Sequence, residues 1–171
     1  MRLFVSINFN SQIKKLLCGC ISSLRAVSAS GNFTREENLH LTLAFIGETD
    51  KVREAKEALS VVNASPFNLN FGETGVFRRG SGDLHWVGVE KTTELLGLQK
   101  QVADSLKKHG FMLENREFAP HITLGREVFL RNSFNPRKID ELMQVSEISL
   151  MRSERSEGRL LYTELYNKKL L

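Results

Sequence analysis

LHLTLAFIG, Leu39 to Gly47, is echoed eighty-one positions later by HITLGR, His121 to Arg126. Both stretches alternate apolar and polar residues, the pattern of a half-buried β-strand in which residues i and i+2 share a face. His40 and Thr42 therefore point one way and Leu39, Leu41 and Leu43 the other. His121 and Thr123 repeat the arrangement against Ile122 and Leu124. One His-x-Thr-Leu is unremarkable, a half-exposed histidine beside a good strand former. Core packing accounts for the repeated leucines of two, but it gives no reason to repeat the histidine and the threonine. Of the four histidines in the chain, two lie in these repeats, and two such pairs on strands of matching phase can form opposite walls of one cleft.

The 171 residues suffice for one ordinary domain with a sizeable core, so a single domain over residues 1–171 is expected. Hydrophobic content of 41% with 26% charged residues is that of a soluble globular chain, and three prolines argue against long disordered linkers. The net charge of +4 is compatible with an anionic substrate. Cys18 and Cys20, one residue apart on an apparent helix, point in different directions and read as small buried hydrophobes in a reducing compartment. The opening LFVSINF is too short for a signal-peptide core or a membrane span. A cytoplasmic protein with no membrane association, acting as a monomer, is expected.

In chain order, Leu3, Val5, Ile7 and Phe9 alternate with Phe4, Ser6 and Asn8 as a first strand with one apolar and one partly polar face. Asn10 or Ser11 caps a helix carrying Ile13, Leu17, Cys20, Leu24 and Val27, with Gly31 as terminator. The turn-like TREEN leads into the first motif strand. Thr49 or Asp50 then opens a second helix bearing Val52, Ala55, Leu59 and Val62. Phe67 to Phe71 and Leu84 to Val89 read as strands about a basic loop, Arg78 to Asp83. A third helix from Thr92 or Thr93 turns Leu95, Leu98, Val102 and Leu106 inward. The second motif strand runs from about His121 to Glu127, followed by a loop to Pro136 and a short helix around Arg137 to Met143. Two strands, Val145 to Arg152 and Arg159 to Tyr166, close the chain around SERSEG. Strands and helices mixed without strict alternation predict an α+β fold of antiparallel sheets with helices on one face.

Displacement at phosphorus supplies a reason for paired histidines. The attacking and leaving oxygens lie on opposite sides of the phosphorus, one losing a proton and the other gaining one. Two imidazoles facing each other across a cleft do both near neutral pH, one starting neutral and the other protonated. Threonine hydroxyls two residues away can hydrogen-bond the non-bridging oxygens. No Asp/Glu/His cluster of metal-ligand spacing is evident, so metal-independent chemistry without a cofactor is expected.

HLTLAFIG and PHITLGR resemble the two signature motifs of the two-histidine phosphoesterase superfamily, and specifically its RNA 2′,3′-cyclic phosphodiesterase family, formerly called 2′-5′ RNA ligases. RLFVSINF, ENLHLTL, GVF, LHWVGVE and ERSEGRLLYTELY are also similar to that family. The resemblance implies two pseudo-symmetric lobes, each an antiparallel sheet with helices on its outer face, around a central cleft. It implies hydrolysis of a 2′,3′-cyclic phosphate at an RNA or oligonucleotide end to a 2′-phosphomonoester. It makes His40 the proton donor to the leaving oxygen and His121 the base that activates water, an order set by the family alone. Thr42, Thr123 and Arg126 would hold the phosphate. Strict alternation sets Arg126 on the face opposite His121, and a bulge at Gly125 would re-aim it.

Phe45, in phase with Leu41 and Leu43, is expected in the core. His85 reads as structural or peripheral, His109 as solvated, and Trp86 as buried. Arg78 and Arg79 read equally well as guides for an RNA end and as a solvated loop. A non-catalytic RNA or nucleotide binding module is the first competing reading, and the same site used for 2′-5′ ligation or another cyclic phosphodiester is the second.

Overall fold

A computed structural model describes residues 1–136 and 138–171. The described elements are β1 (Arg2–Asn8), α1 (Ser11–Ala26), β2 (Ser28–Phe33), a 3-10 turn (Glu36–Asn38), β3 (His40–Glu48), α2 (Val52–Ser60), β4 (Phe67–Phe77), β5 (Asp83–Val89), α3 (Thr93–Lys108), β6 (His121–Leu130), β7 (Leu142–Val145), β8 (Glu147–Ser156) and β9 (Arg159–Lys169). They form two antiparallel sheets, one ordered β3-β1-β8-β9 and the other β2-β6-β5-β4-β7. The α+β class and the two-sheet architecture are as the sequence predicts. Each motif strand belongs to a different sheet, and β3 and β6 approach one another across the cleft between them.

The helices close the outer faces. Asn10 caps α1, its side chain accepting from the Ile13 N–H at 2.9 Å, and Ile13, Leu17, Cys20, Ile21 and Leu24 are buried. This helix packs on β2 and β6 of the second sheet, whereas α2 lies against β8 and β9 of the first and pairs with α3. Thr92 caps α3, and Leu95, Leu98, Val102 and Leu106 all face inward as their spacing predicts. Burying such leucines supplies the main stabilisation, about 1.5–3 kcal/mol for each full side chain.

Several boundaries differ from the sequence expectation. Gly31 does not end α1, which stops at Ala26 with Val27 as its cap. It lies inside β2, whose SASGNF has no apolar alternation because it is an edge strand held by pairing with β6. The expected helix near residues 137–143 begins on Arg137, outside the described residues. Residues 138–141 carry no regular structure, and Leu142 and Met143 open β7, where Met143 and Val145 are buried in the alternation of a strand paired with β4. β6 continues to Leu130 because β2 gives its second half a partner. The partly polar face of β1 is present but largely covered: Phe4 and Ser6 are buried in a strand flanked by β3 and β8, and the Ser6 hydroxyl donates to Asn8 Oδ1 at 3.0 Å while Asn8 Nδ2 donates to the Ser149 hydroxyl at 3.1 Å.

Asn10→Ala is expected to lower global stability by about 1 kcal/mol, and Asn10→Asp to retain most of it. Urea unfolding of the three proteins measures the difference, and an unchanged midpoint for the alanine variant would contradict the cap.

Candidate active site

The first motif puts His40 and Thr42 on the cleft face of β3, and Leu39, Leu41 and Leu43 are at most 2% exposed beneath them. The second puts His121 and Thr123 on the cleft face of β6 above fully buried Ile122 and Leu124. Both phases follow the alternation. The next residues do not. Along β3, Val5 pairs with Ala44 and Ser6 with Thr42, so Leu43 is an extra residue in the ladder. Along β6, His85 pairs with Gly125 and Trp86 with Thr123, so Leu124 is extra in the same way. A β-bulge therefore follows each His-x-Thr and reverses the side-chain phase beyond it.

These bulges have opposite chemical results at equivalent positions. Arg126, five residues after His121, turns into the cleft, and the bulge expected beside Gly125 is present. Phe45, five residues after His40, turns into the cleft too, where it is 55% exposed. Phe45 is therefore not a core residue, and Ala44 and Ile46 take the inward positions instead. Thr34 secures the second bulge: its N–H donates to the Leu124 carbonyl at 2.9 Å and its hydroxyl to the Thr123 carbonyl at 2.8 Å. All five candidates, His40, Thr42, His121, Thr123 and Arg126, line one cleft of about 1110 Å³.

The histidines are held alike. Nδ1–H of His40 donates to the Asn38 carbonyl at 2.7 Å, and Nδ1–H of His121 to the Ala119 carbonyl at 2.7 Å. A carbonyl only accepts, so in each neutral ring the proton sits on Nδ1 and Nε2 carries the lone pair. At His40 the Thr42 hydroxyl donates to Nε2 at 2.9 Å. Asn38 is buried, and its side chain donates to the Leu160 carbonyl at 3.0 Å, tying the His40 anchor to β9. Aromatic rings flank each imidazole. Phe4 and Tyr162 lie 4.9 and 5.1 Å from His40, and Phe77 and Trp86 lie 5.4 and 6.3 Å from His121. The Trp86 indole covers Gly75, where a Cβ would come within 2.1 Å of the ring.

Burial and field both disfavour a second positive charge here. Burial pushes His40 down to about 4, with the charges of Arg126 and His121 adding to the effect against its backbone hydrogen bond. Burial lowers His121 as well, and Arg126, Arg116 and Arg79 act in the same direction. Unliganded, both rings are therefore neutral at pH 7, and an anion entering between them favours the protonated form.

His85 stands apart. It is 2% exposed, its ring packs 5.7 Å from Phe134, and burial lowers its basicity. His109 is not fully solvated, since its Nδ1–H donates to the Ser105 carbonyl at 2.8 Å. Trp86 is half-buried beneath His121. The basic loop divides: Arg78 pairs with Asp83, and Arg79 lines the cleft. Sequence reasoning missed Phe4, Tyr162 and Asn38 because Phe4 reaches His40 only through the pairing of β1 with β3, Tyr162 only through the further pairing of β1 with β8 and of β8 with β9, and Asn38 through the fold of the 3-10 turn. Among the described residues no group of three or more His, Cys, Asp or Glu is placed to hold a metal, and no helix is long and apolar enough to cross a membrane.

Comparison with known proteins places this geometry. The model of the 2′-5′ RNA ligase superfamily matches residues 13–157. The RNA 2′,3′-cyclic phosphodiesterase of Thermotoga maritima is 37% identical over 74% of this chain and 70% of its own length. That of Archaeoglobus fulgidus is 34% identical over 94% and 89%. The crystal structure of E. coli LigT complexed with 3′-AMP superposes with a TM-score of 0.87 at 27% identity, covering 99% of this chain and 97% of that one. With the paired strands, the family model and these relatives in agreement, the chain belongs to the 2′-5′ RNA ligase superfamily.

Proposed function

We propose that the chain is an RNA 2′,3′-cyclic phosphodiesterase, hydrolysing a cyclic phosphate at an RNA end to a 2′-phosphomonoester. The observation that carries this reading is that two histidines, each with its Nδ1–H tied to a backbone carbonyl two residues upstream, line one cleft together with Arg126. Relatives bearing that activity in their names match over most of the chain.

In this mechanism the cyclic phosphodiester, with its single negative charge, sits between the two Nε2 atoms. His121 takes a proton from water through Nε2, and the water oxygen bonds to phosphorus. The bond from phosphorus to O3′ breaks, and His40 Nε2–H delivers its proton to O3′. Arg126 and the hydroxyls of Thr42 and Thr123 hold the non-bridging oxygens as charge builds there. His40 is neutral in the unliganded site, so its proton arrives with the anion: the phosphate charge beside Nε2 offsets the burial and the nearby cations. Once protonated, Nε2–H no longer accepts from Thr42, whose hydroxyl is released to the phosphate. The environment that makes His40 hard to protonate also makes its protonated form a strong acid for the leaving oxygen. Both walls come from one chain, so a monomer suffices, and the cytoplasm supplies the RNA.

His40→Ala and His121→Ala are each expected to lower turnover of a nucleoside 2′,3′-cyclic phosphate at least about a hundredfold, with Thr42→Ala milder. Hydrolysis should persist in EDTA, and phosphorus NMR should show a 2′-monophosphate. Equal rates in the parent and both histidine variants would sink the mechanism, and a 3′ product would reverse the leaving oxygen.

The pH dependence has a definite sign. The productive free enzyme holds one proton shared between the two rings. It gains a second as pH falls towards about 4 and loses its only one as pH rises through an upper value below the ordinary 6.5. A kcat/KM profile should therefore peak on the acid side and decline above about pH 6.5, while kcat, reporting the anion-bound enzyme, holds to higher pH. A kcat/KM plateau rising to pH 8 would contradict these environments.

A further inference from the structure

The cleft carries more positive charge than one cyclic phosphate requires. Nine basic and four acidic side chains line it, a net +5 that exceeds the +4 of the entire chain, so the remaining surface is net acidic. Each of the four acids already has a partner: Asp104 with Lys100, Glu114 with Arg116, Glu117 with Lys91 and Glu127 with Asn32. A cyclic phosphodiester brings one negative charge, which Arg126 beside the two histidines answers alone. The excess needs a polyanion.

Three of these cations, Arg126, Arg116 and Arg79, line the cleft near enough to His121 for their charges to act on its ring. Arg79 is placed there by construction. Asp83 opens β5 at the end of the loop from β4, and its carboxylate is occupied by the Arg78 guanidinium and by the Arg79 N–H at 3.3 Å. The Gly82 N–H donates to the Arg79 carbonyl at 3.2 Å, closing the turn. Gly82 itself has φ +102, and a Cβ there would meet the Glu127 backbone at 2.6 Å, so the loop is pressed onto β6 one residue beyond Arg126. Arg78 thus latches the loop, and the neighbouring Arg79 lines the cleft. Arg116 lines the same cleft from the segment before β6, and its exposed pair with Glu114 at 3.0 Å is of the kind that contributes little and yields to a better anion.

We infer that Arg79 and Arg116 form a second phosphate site beside His121, which takes the phosphodiester immediately upstream of the terminal nucleotide and makes the substrate an oligonucleotide end rather than a mononucleotide. The inference rests on the cyclic phosphodiesterase reading and adds to it a length requirement with its own residues. Phosphate contacts of this kind position a strand without reading its sequence, so the preference is for length and not for base.

Binding of two product-end ligands tests it without relying on turnover: adenosine 2′-monophosphate, and the adenosine dinucleotide that ends in the same 2′-phosphate. Calorimetric titration of the parent should show the dinucleotide binding about tenfold more tightly, the worth of one charged hydrogen-bonded contact. Arg79→Gln should bring that ratio most of the way to one, the Arg79→Gln/Arg116→Gln double variant should abolish it, and each lost cation should flatten the salt dependence of dinucleotide binding by about 0.7 in log K against log salt. Lys15→Gln, on α1 away from the cleft, should keep the parent ratio. Equal binding of the two ligands by the parent overturns the second site. So does an unchanged ratio in Arg79→Gln, even with both affinities lowered, since that pattern belongs to a residue acting through the field at His121. Retained dinucleotide preference in a protein that fails to hydrolyse cyclic phosphates would instead sink the catalytic reading and leave this site standing.

Discussion

The extra residue that follows each His-x-Thr, Leu43 in β3 and Leu124 in β6, determines what the cleft contains. A regular strand would have sent Arg126 away from His121 and Phe45 into the core. The bulges keep the leucine after each His-x-Thr buried, bury the next residue too, and return the following one to the cleft. They do so at matching positions in two different sheets, which relates the lobes by their local geometry as well as by their sequence. The pseudo-symmetry stops at the side chain: one lobe presents an apolar ring where the other presents a cation. The cleft between two near-identical imidazoles is therefore chemically polarised.

The histidines themselves are set by two constraints acting together. A carbonyl two residues upstream holds each Nδ1–H and so directs a lone pair on Nε2 into the cleft. Aromatic neighbours from other strands of the same sheet remove water from the rings and, with Arg126, make protonation unfavourable. The lowered basicity is a property of the pair in its low-dielectric surroundings, and a solvated histidine on an isolated strand would not have it. The basic loop adds a further layer, because Arg78 neutralises Asp83 and so separates the latch from the charge that Arg79 brings to the cleft wall.

Much of this was legible in the amino-acid sequence. Repetition of His-x-Thr-Leu selected His40, Thr42, His121 and Thr123, and period-two alternation correctly assigned Leu39, Leu41, Leu43, Ile122 and Leu124 to the core, since a strand's pleat depends only on local geometry. The helical stripes and the Asn10 and Thr92 caps were equally readable, because capping and amphipathicity are satisfied within one element and its nearest face. The resemblance of the motifs and their flanks reached the superfamily before any contact was known.

Tertiary structure decided the rest, and in each case the reason is a partner strand. β2 lacks the alternation of a half-buried strand, β7 shows it over only four residues, and both exist through pairing, with β6 and β4 respectively. The bulge at Leu43 depends on the register between β1 and β3, a relation between residues far apart in the chain, so alternation alone misplaced Phe45. Tyr162, Phe4 and Asn38 reach His40 only after the sheet has assembled. The sequence by itself determined which residues form the two walls, because that information is local and repeated. The fold determined how those walls are finished, because bulges, ring contacts and the direction of Arg79 and Arg126 arise where distant strands and loops are pressed together.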